Sequence, residues 1–167
     1  AIWNVLYVAI NTFMVVQILR ERRAVELPRE LRALHERHFS ALSPPEFLRW
    51  WRLGRRETLD SQTLVTEGTQ PQWLYFILSG AVLVRRPGGT SMELPAGYLV
   101  GEMSLLTGAP ANADVEAVGR VEVMRWATAD LHDLRQRKPA LWTRIQSVIG
   151  HDLVEKLQRG EHAAGGR

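Results

Sequence analysis

The hydrophobic pattern divides the chain into an apolar start, a helical stretch, a strand-rich middle and a helical end. Residues 1–19, AIWNVLYVAINTFMVVQIL, carry no charged side chain, and the run stops at RERR. At about 1.5 Å of rise per residue such a helix approaches the thickness of a bilayer core, and flanking arginines suit a cytoplasmic exit. Asn4 and Asn11 lie seven apart, on one helical face, which suits packing against other helices. The segment is too long for a signal h-region and lacks the n-region and cleavage site of one. It reads as the last of several membrane helices, with a dimer-forming soluble helix as the alternative. Starting at Ala1 rather than Met, the sequence reads as a piece of something longer.

Residues 20–56 read as a helical connector. Pro28 suits an opening turn, and Leu31, Leu34, His38 and Phe39 follow at helical spacing. Ser43 can cap a second helix, with Pro44 and Pro45 in its first turn and Glu46 placed for a capping box. Phe47, Trp50 and Trp51 form its buried side. From about residue 57 to 127 the period changes to two: TLVTEG, WLYFILSG, AVLVRRPGG, SMELPAG and DVEAVGRVEVMRWA are strand segments separated by turn residues. Many short strands with glycine turns predict an antiparallel sandwich or barrel. Gly68, Gly80, Gly88, Gly89, Gly97 and Gly119 are expected at chain reversals. Residues 128–160 return to helix, capped by Thr128 or Asp130 and interrupted at Pro139. There Trp142, Ile145, Ile149, Leu153 and Leu157 form one apolar stripe. Residues 161–167 are expected to be disordered. The fold class is therefore mainly β with flanking helices, a jelly-roll-like β-roll followed by a long C-terminal helix.

Composition narrows the chemistry. The 167 residues are 46% hydrophobic, enough for one ordinary domain with appended helices. The formal net charge is +3, and the basic residues are dispersed among acids apart from Arg20, Arg22 and Arg23. That is no basic stripe for a nucleic-acid polymer. Absence of cysteine excludes disulfides, zinc–thiolate sites and cysteine nucleophiles. No GxSxG elbow, P-loop or HExxH is present. Of the five histidines only His35 and His38 are close in sequence, and they read as a solvated helix face, so neither a metal site nor an enzyme is expected.

The stretch Val100–Ala117, VGEMSLLTGAPANADVEA, carries the candidate chemistry. A glycine turn, an acid and a short apolar helical turn can present backbone N–H groups to an anion and a carboxylate to a hydroxyl. GEMSLLTGAP closely resembles the phosphate-binding cassette of cyclic nucleotide-binding domains, and LYFILSG and the EG turn at Glu67–Gln70 are similar to that family's early strands. The N-terminal third, with its membrane-like helix, basic cluster and PREL, together with IGHDLVEKL, resembles the Popeye domain. The departures are VGEM in place of the vertebrate DSPE string and Ala113–Val115 in place of VTI, which fit a prokaryotic-type member.

This resemblance implies a β-roll that holds a cyclic nucleotide within the region 100–117. Gly101 and Met103 then match backbone positions near ribose or phosphate, Glu102 the ribose-binding glutamate, and Ser104 a small position at the start of the cassette helix. Ala111 stands where the family's phosphate-pairing arginine would be. Asn112 can still donate to phosphate, Ala113 completes the matched cassette, and Asp114 would share Asn112's face if the period of two holds. Arg85, Arg86 and Arg125 are the alternative cations. Ile145, Ile149, Leu153 and Leu157 would form a dimer helix, a lid or part of the core, and Trp142 a stacking or docking residue. The implied function is a membrane-tethered, non-enzymatic cyclic-AMP sensor with its β-roll in the cytoplasm, signalling through terminal-helix movement and homodimerisation. No cofactor is implied beyond that regulatory ligand. The alternative is a nucleotide-free scaffold that keeps the roll and dimerises. No DNA-reading helix-turn-helix is expected after the last helix.

Overall fold

A computed structural model describes residues 7, 8, 10–15, 26–89 and 91–164, with side chains through Gln158. Most of the apolar segment 1–19 lies outside the described residues, as do RERR and residues 165–167. Within that segment, residues 7, 8 and 10–15 are helical and Tyr7, Ile10, Phe13 and Met14 are exposed. Among the described residues no helix is long and apolar enough to cross a membrane.

Helix α1 (Arg29–His38) follows Pro28. Helix α2 (Pro44–Trp51) opens on a complete capping box, with the Ser43 N–H and hydroxyl both donating to Glu46 Oε2, at 2.9 and 2.7 Å. Six antiparallel strands follow: β1 (Arg55–Asp60), β2 (Thr63–Val65), β3 (Trp73–Arg85), β4 (Ser91–Pro95), β5 (Leu99–Val100) and β6 (Asp114–Ala127). Strand β6 pairs with β1, β2 and β3, while β3 also carries β4 and β5. A short helix α3 (Glu102–Thr107) lies between β5 and β6. Helices α4 (Thr128–Arg137) and α5 (Pro139–Ala164) close the chain.

Two glycines expected at reversals sit instead inside strands. WLYFILSG and AVLVR form the single strand β3, with register shifts against β6 between Ile77 and Ala81. Gly80, at φ +84°, is the bend, and a Cβ there would stand 2.8 Å from the Arg120 carbonyl, so the close approach of backbones requires glycine. Gly119 similarly lies within β6. The other departures are at the helix ends. Neither Thr128 nor Asp130 caps α4; the Thr128 hydroxyl donates to the Gln72 carbonyl. Helix α5 continues through Ala164, so the expected tail is helical over residues 161–164.

Period-two alternation separates two cores. From β3, Leu74 and Phe76 face the helices while Tyr75 and Ile77 face the roll interior; from β6, Met124 and Trp126 face the helices while Val121 and Val123 face inward. On the helical side Phe39, Phe47 and Trp50 interlock with Trp126, whose ring stacks on Trp50 at 4.4 Å and whose Nε1 donates to the Trp50 carbonyl at 2.9 Å. The first half of α5 joins this core through Trp142, Ile145 and Ile149. Its second half is thereby directed across β5 and α3, where the cassette lies.

Candidate functional site

The cassette begins on a backbone constraint. Gly101, at φ +90°, is the N-cap of α3, and a Cβ there would stand 2.9 Å from the Trp73 carbonyl. Of the side chains that follow, Glu102 at 6% and Ser104 at 8% exposure are buried, while Met103 between them is exposed. Beyond α3 the loop returns over the EG turn between β2 and β3. The Ala111 N–H donates to the Thr69 carbonyl and the Gly68 N–H to the Ala111 carbonyl, each at 2.8 Å, while Gln70 Nε2 donates to the Gly108 carbonyl at 2.7 Å.

These elements enclose a cavity of about 320 Å³, within the range of small-molecule sites. The roll supplies an apolar floor of Val65, Val84, Leu94, Val100 and Val115. The six cassette residues Gly101, Glu102, Met103, Ser104, Asn112 and Ala113 all line it, together with Ala111. From α5 come Leu153, Lys156 and Leu157. A mostly apolar wall with a few polar groups is suited to a ligand with a flat apolar part and a polar end.

Asp114 does not line the cavity. Its carboxylate accepts the Glu67 N–H at 2.8 Å. The expected shared face with Asn112 fails because Asn112 lies in the loop before β6, where strand alternation does not apply. Of the three alternative cations, Arg85 pairs with Glu116 at 3.0 Å, and Arg125 pairs with Glu57 at 2.8 Å while its guanidinium lies 4.1 Å from the Trp73 ring centre. Arg86 alone of the three lines the cavity, at its exposed edge.

The stripe on α5 is divided rather than continuous. Ile145 and Ile149 are wholly buried in the chain's own core, so they are not available as a dimer seam; the apolar stripe reflects attachment of the helix to the roll. Trp142 is buried in the same core and does not line the cavity. Leu153 and Leu157 face the cavity, with Leu157 still 54% exposed.

Two site residues escape the sequence reading. Lys156 Nζ lies 2.6 Å from Glu102 Oε1 and 2.8 Å from Asp152 Oδ2, and it donates to the Leu99 carbonyl. Asp152 Oδ1 in turn accepts the Leu99 N–H at 2.9 Å. Burial pushes the Asp152 carboxyl above its ordinary range, against the opposing pull of Lys156. The available signal was an Asp–Lys pair four apart within an otherwise apolar helical run, a spacing that places both on one face.

An antiparallel β-roll, a glycine-started cassette in its wall and a terminal helix beside the cavity define a β-roll domain with a site of small-molecule size. The sequence profile of the cyclic nucleotide-binding domain matches residues 55–138, half of the chain, and the protein belongs to that family. A putative cyclic nucleotide-binding protein from Geobacter metallireducens GS-15 superimposes with a TM-score of 0.67 at 16% identity, over 78% of this chain and 99% of that one. A cyclic nucleotide-binding domain from Methylobacillus flagellatus KT gives 0.64 at 20% identity, over 77% of this chain and 80% of that one. The catabolite activator protein of Thermus thermophilus gives 0.57 at 26% identity, over 75% of this chain but only 62% of its own length. No curated protein sequence is significantly similar to the chain.

Proposed function

We propose that the protein is a non-enzymatic regulatory module that binds a cyclic nucleotide, with cyclic AMP as the ligand, and transmits occupancy through its terminal helix. The observation that carries this reading is the cavity itself: in a chain of the cyclic nucleotide-binding domain family, it is walled by Gly101–Ser104 and Ala111–Ala113, with the buried Glu102 beside it. Glu102 accepts a ribose hydroxyl, the backbone at Gly101 and Met103 approaches the sugar–phosphate edge, and the apolar floor receives the base. With Ala111 in the place of a phosphate arginine, Arg86 at the cavity edge is the counter-charge.

Calorimetry with cyclic AMP and cyclic GMP tests the reading. Heat of binding and a raised melting temperature are expected with cyclic AMP. No heat and no melting shift at millimolar ligand would sink it and leave the second reading, a nucleotide-free scaffold on the same roll. That second reading draws on Ala111 and on the engagement of Glu102 by Lys156.

We also read the chain as a Popeye-type member, anchored to a membrane through its uncharged first segment and with the roll in the cytoplasm. Its support is the run of residues 1–19, the RERR cluster and the PREL string. Flotation with liposomes checks the anchor: the full chain should float, and a chain lacking residues 1–23 should not. For dimerisation, Val154 and Leu157, exposed by 52% and 54%, are the large apolar side chains exposed on α5 among the described residues. Light scattering of the full chain and a Val154→Asp, Leu157→Asp variant reads that contact directly.

A further inference from the structure

Lys156 and Asp152 are buried charged groups for which cyclic-nucleotide binding through Glu102 gives no task. Both project from one face of α5 and together hold Leu99 as a neighbouring strand would, Asp152 accepting its N–H and Lys156 donating to its carbonyl. The ammonium also donates to Glu102 Oε1 at 2.6 Å and forms an ion pair with Asp152 Oδ2 at 2.8 Å. The Lys156 side chain is only 9% exposed, yet it forms part of the cavity wall beside Leu153 and Leu157. It therefore stands at the carboxylate that a ligand hydroxyl would approach.

We propose that Lys156 is an internal surrogate for the ligand: it satisfies Glu102 in the empty site, and a hydroxyl that takes Glu102 over releases Lys156 and with it the last turns of α5. This rests on the reading that a cyclic nucleotide enters through Glu102. A buried carboxylate left without a partner is unfavourable, so the empty site needs a donor there, and α5 provides it. Lys156 retains Asp152 when Glu102 is taken, so release weakens the helix's hold without leaving the ammonium unpaired. Ligand and helix thereby compete for one carboxylate, which gives the two helix positions the different ligand affinities that coupling requires.

The surrogate also sets specificity. A site that must pair its buried acceptor with a ligand hydroxyl rejects the analogue lacking it, because the acceptor is then orphaned. Here Lys156 removes that penalty, since Glu102 remains partnered when a 2′-deoxy ligand binds. Lys156 thus tightens the helix and blunts discrimination between ribose and deoxyribose.

The test compares the full chain with its Lys156→Met variant by calorimetry with cyclic AMP and 2′-deoxy cyclic AMP, and by hydrogen exchange over residues 150–158. Removal of the competitor should raise affinity for cyclic AMP about five- to a hundredfold, the range of ordinary coupling between sites. It should also widen the preference over the deoxy ligand. Cyclic AMP should speed exchange at 150–158 in the wild type and leave it unchanged in the variant. Weaker or unaltered binding by Lys156→Met, or slowed exchange in the liganded wild type, overturns the proposal. If neither protein takes up cyclic AMP, the cyclic-nucleotide reading fails on its own, and ligand-free exchange still decides the latch. Lys156→Met and Glu102→Gln should each loosen residues 150–158, and the double variant no further than Lys156→Met alone. Protection equal to wild type in both single variants overturns the latch, and Glu102→Gln answers this alone if Lys156→Met fails to fold.

Discussion

The Asp114 carboxylate accepts the backbone N–H of Glu67 at 2.8 Å, joining the first residue of β6 to the turn that follows β2. The next residue of β6, Val115, lines the cavity, so strand alternation turns the acid to the other side. An anionic ligand in the cavity consequently does not meet the Asp114 carboxylate. The same bond helps fix the EG turn on which the backbone of Ala111 is held.

Replacing Asp114 with Ala should therefore affect the fold and spare the site. Loss of one charge-assisted bond at the surface is expected to cost about 1 kcal/mol, or about 2–4 °C in melting temperature. Cyclic AMP affinity should change by less than about threefold, since that corresponds to under 1 kcal/mol. A tenfold loss measured by calorimetry would place the carboxylate in the binding site after all.

An Ala111→Arg variant supplies the cation at a position whose backbone is already held by Gly68 and Thr69. A charge-assisted contact to phosphate is worth about 1.5–3 kcal/mol, so affinity for cyclic AMP should rise about ten- to a hundredfold. Arg86→Ala should weaken binding in the wild type and matter less once Arg stands at 111. Additive effects of the two changes would mean that Arg86 does not serve the same phosphate.

At Glu102, the ribose role separates from a purely structural one by ligand choice. Glu102→Ala should weaken binding of cyclic AMP by about tenfold or more and alter binding of its 2′-deoxy analogue less, because only the former loses a hydroxyl-to-carboxylate bond. Equal losses for the two ligands, measured side by side, would remove Glu102 from the ribose contact.

The parts of the fold legible in the sequence are those governed by local rules. Ser43 and Glu46 are three apart and close into the capping box, and the alternation through Leu74, Tyr75, Phe76 and Ile77 distributes itself between two cores. Gly101 is legible for a different reason, since its positive φ and its contact with the Trp73 carbonyl tolerate no side chain. Long-range relationships were not legible. A glycine signals unusual backbone but not whether the chain reverses, so Gly80 reads as a turn and is a bend. An apolar stripe signals burial but not against what, so Ile145 and Ile149 read as dimer seam, lid or core alike, and belong to the core. Lys156 reaches Glu102 across 54 residues, and nothing within either local string specifies that meeting.

The capping box carries a pH dependence that can be worked out in sign. Burial pushes the Glu46 carboxyl up, but donation from the Ser43 hydroxyl and N–H and from Arg144, 2.8 Å away, outweighs it and holds the carboxyl below its ordinary value of 4.5. A carboxyl depressed in the folded chain binds fewer protons there than in the unfolded chain. Its contribution to stability is thus fully present above the ordinary value and is lost as pH falls through the folded one. Glu46→Gln retains the shape but not the charge. Near neutral pH it should melt below the wild type, and the gap should close progressively as the pH is lowered from about 4.5, the ordinary carboxyl value. Melting curves of both proteins taken between neutral and strongly acidic pH measure that gap. A gap that stays constant through the acid range would show that the α2 cap acts through shape and backbone geometry rather than through the ionised Glu46.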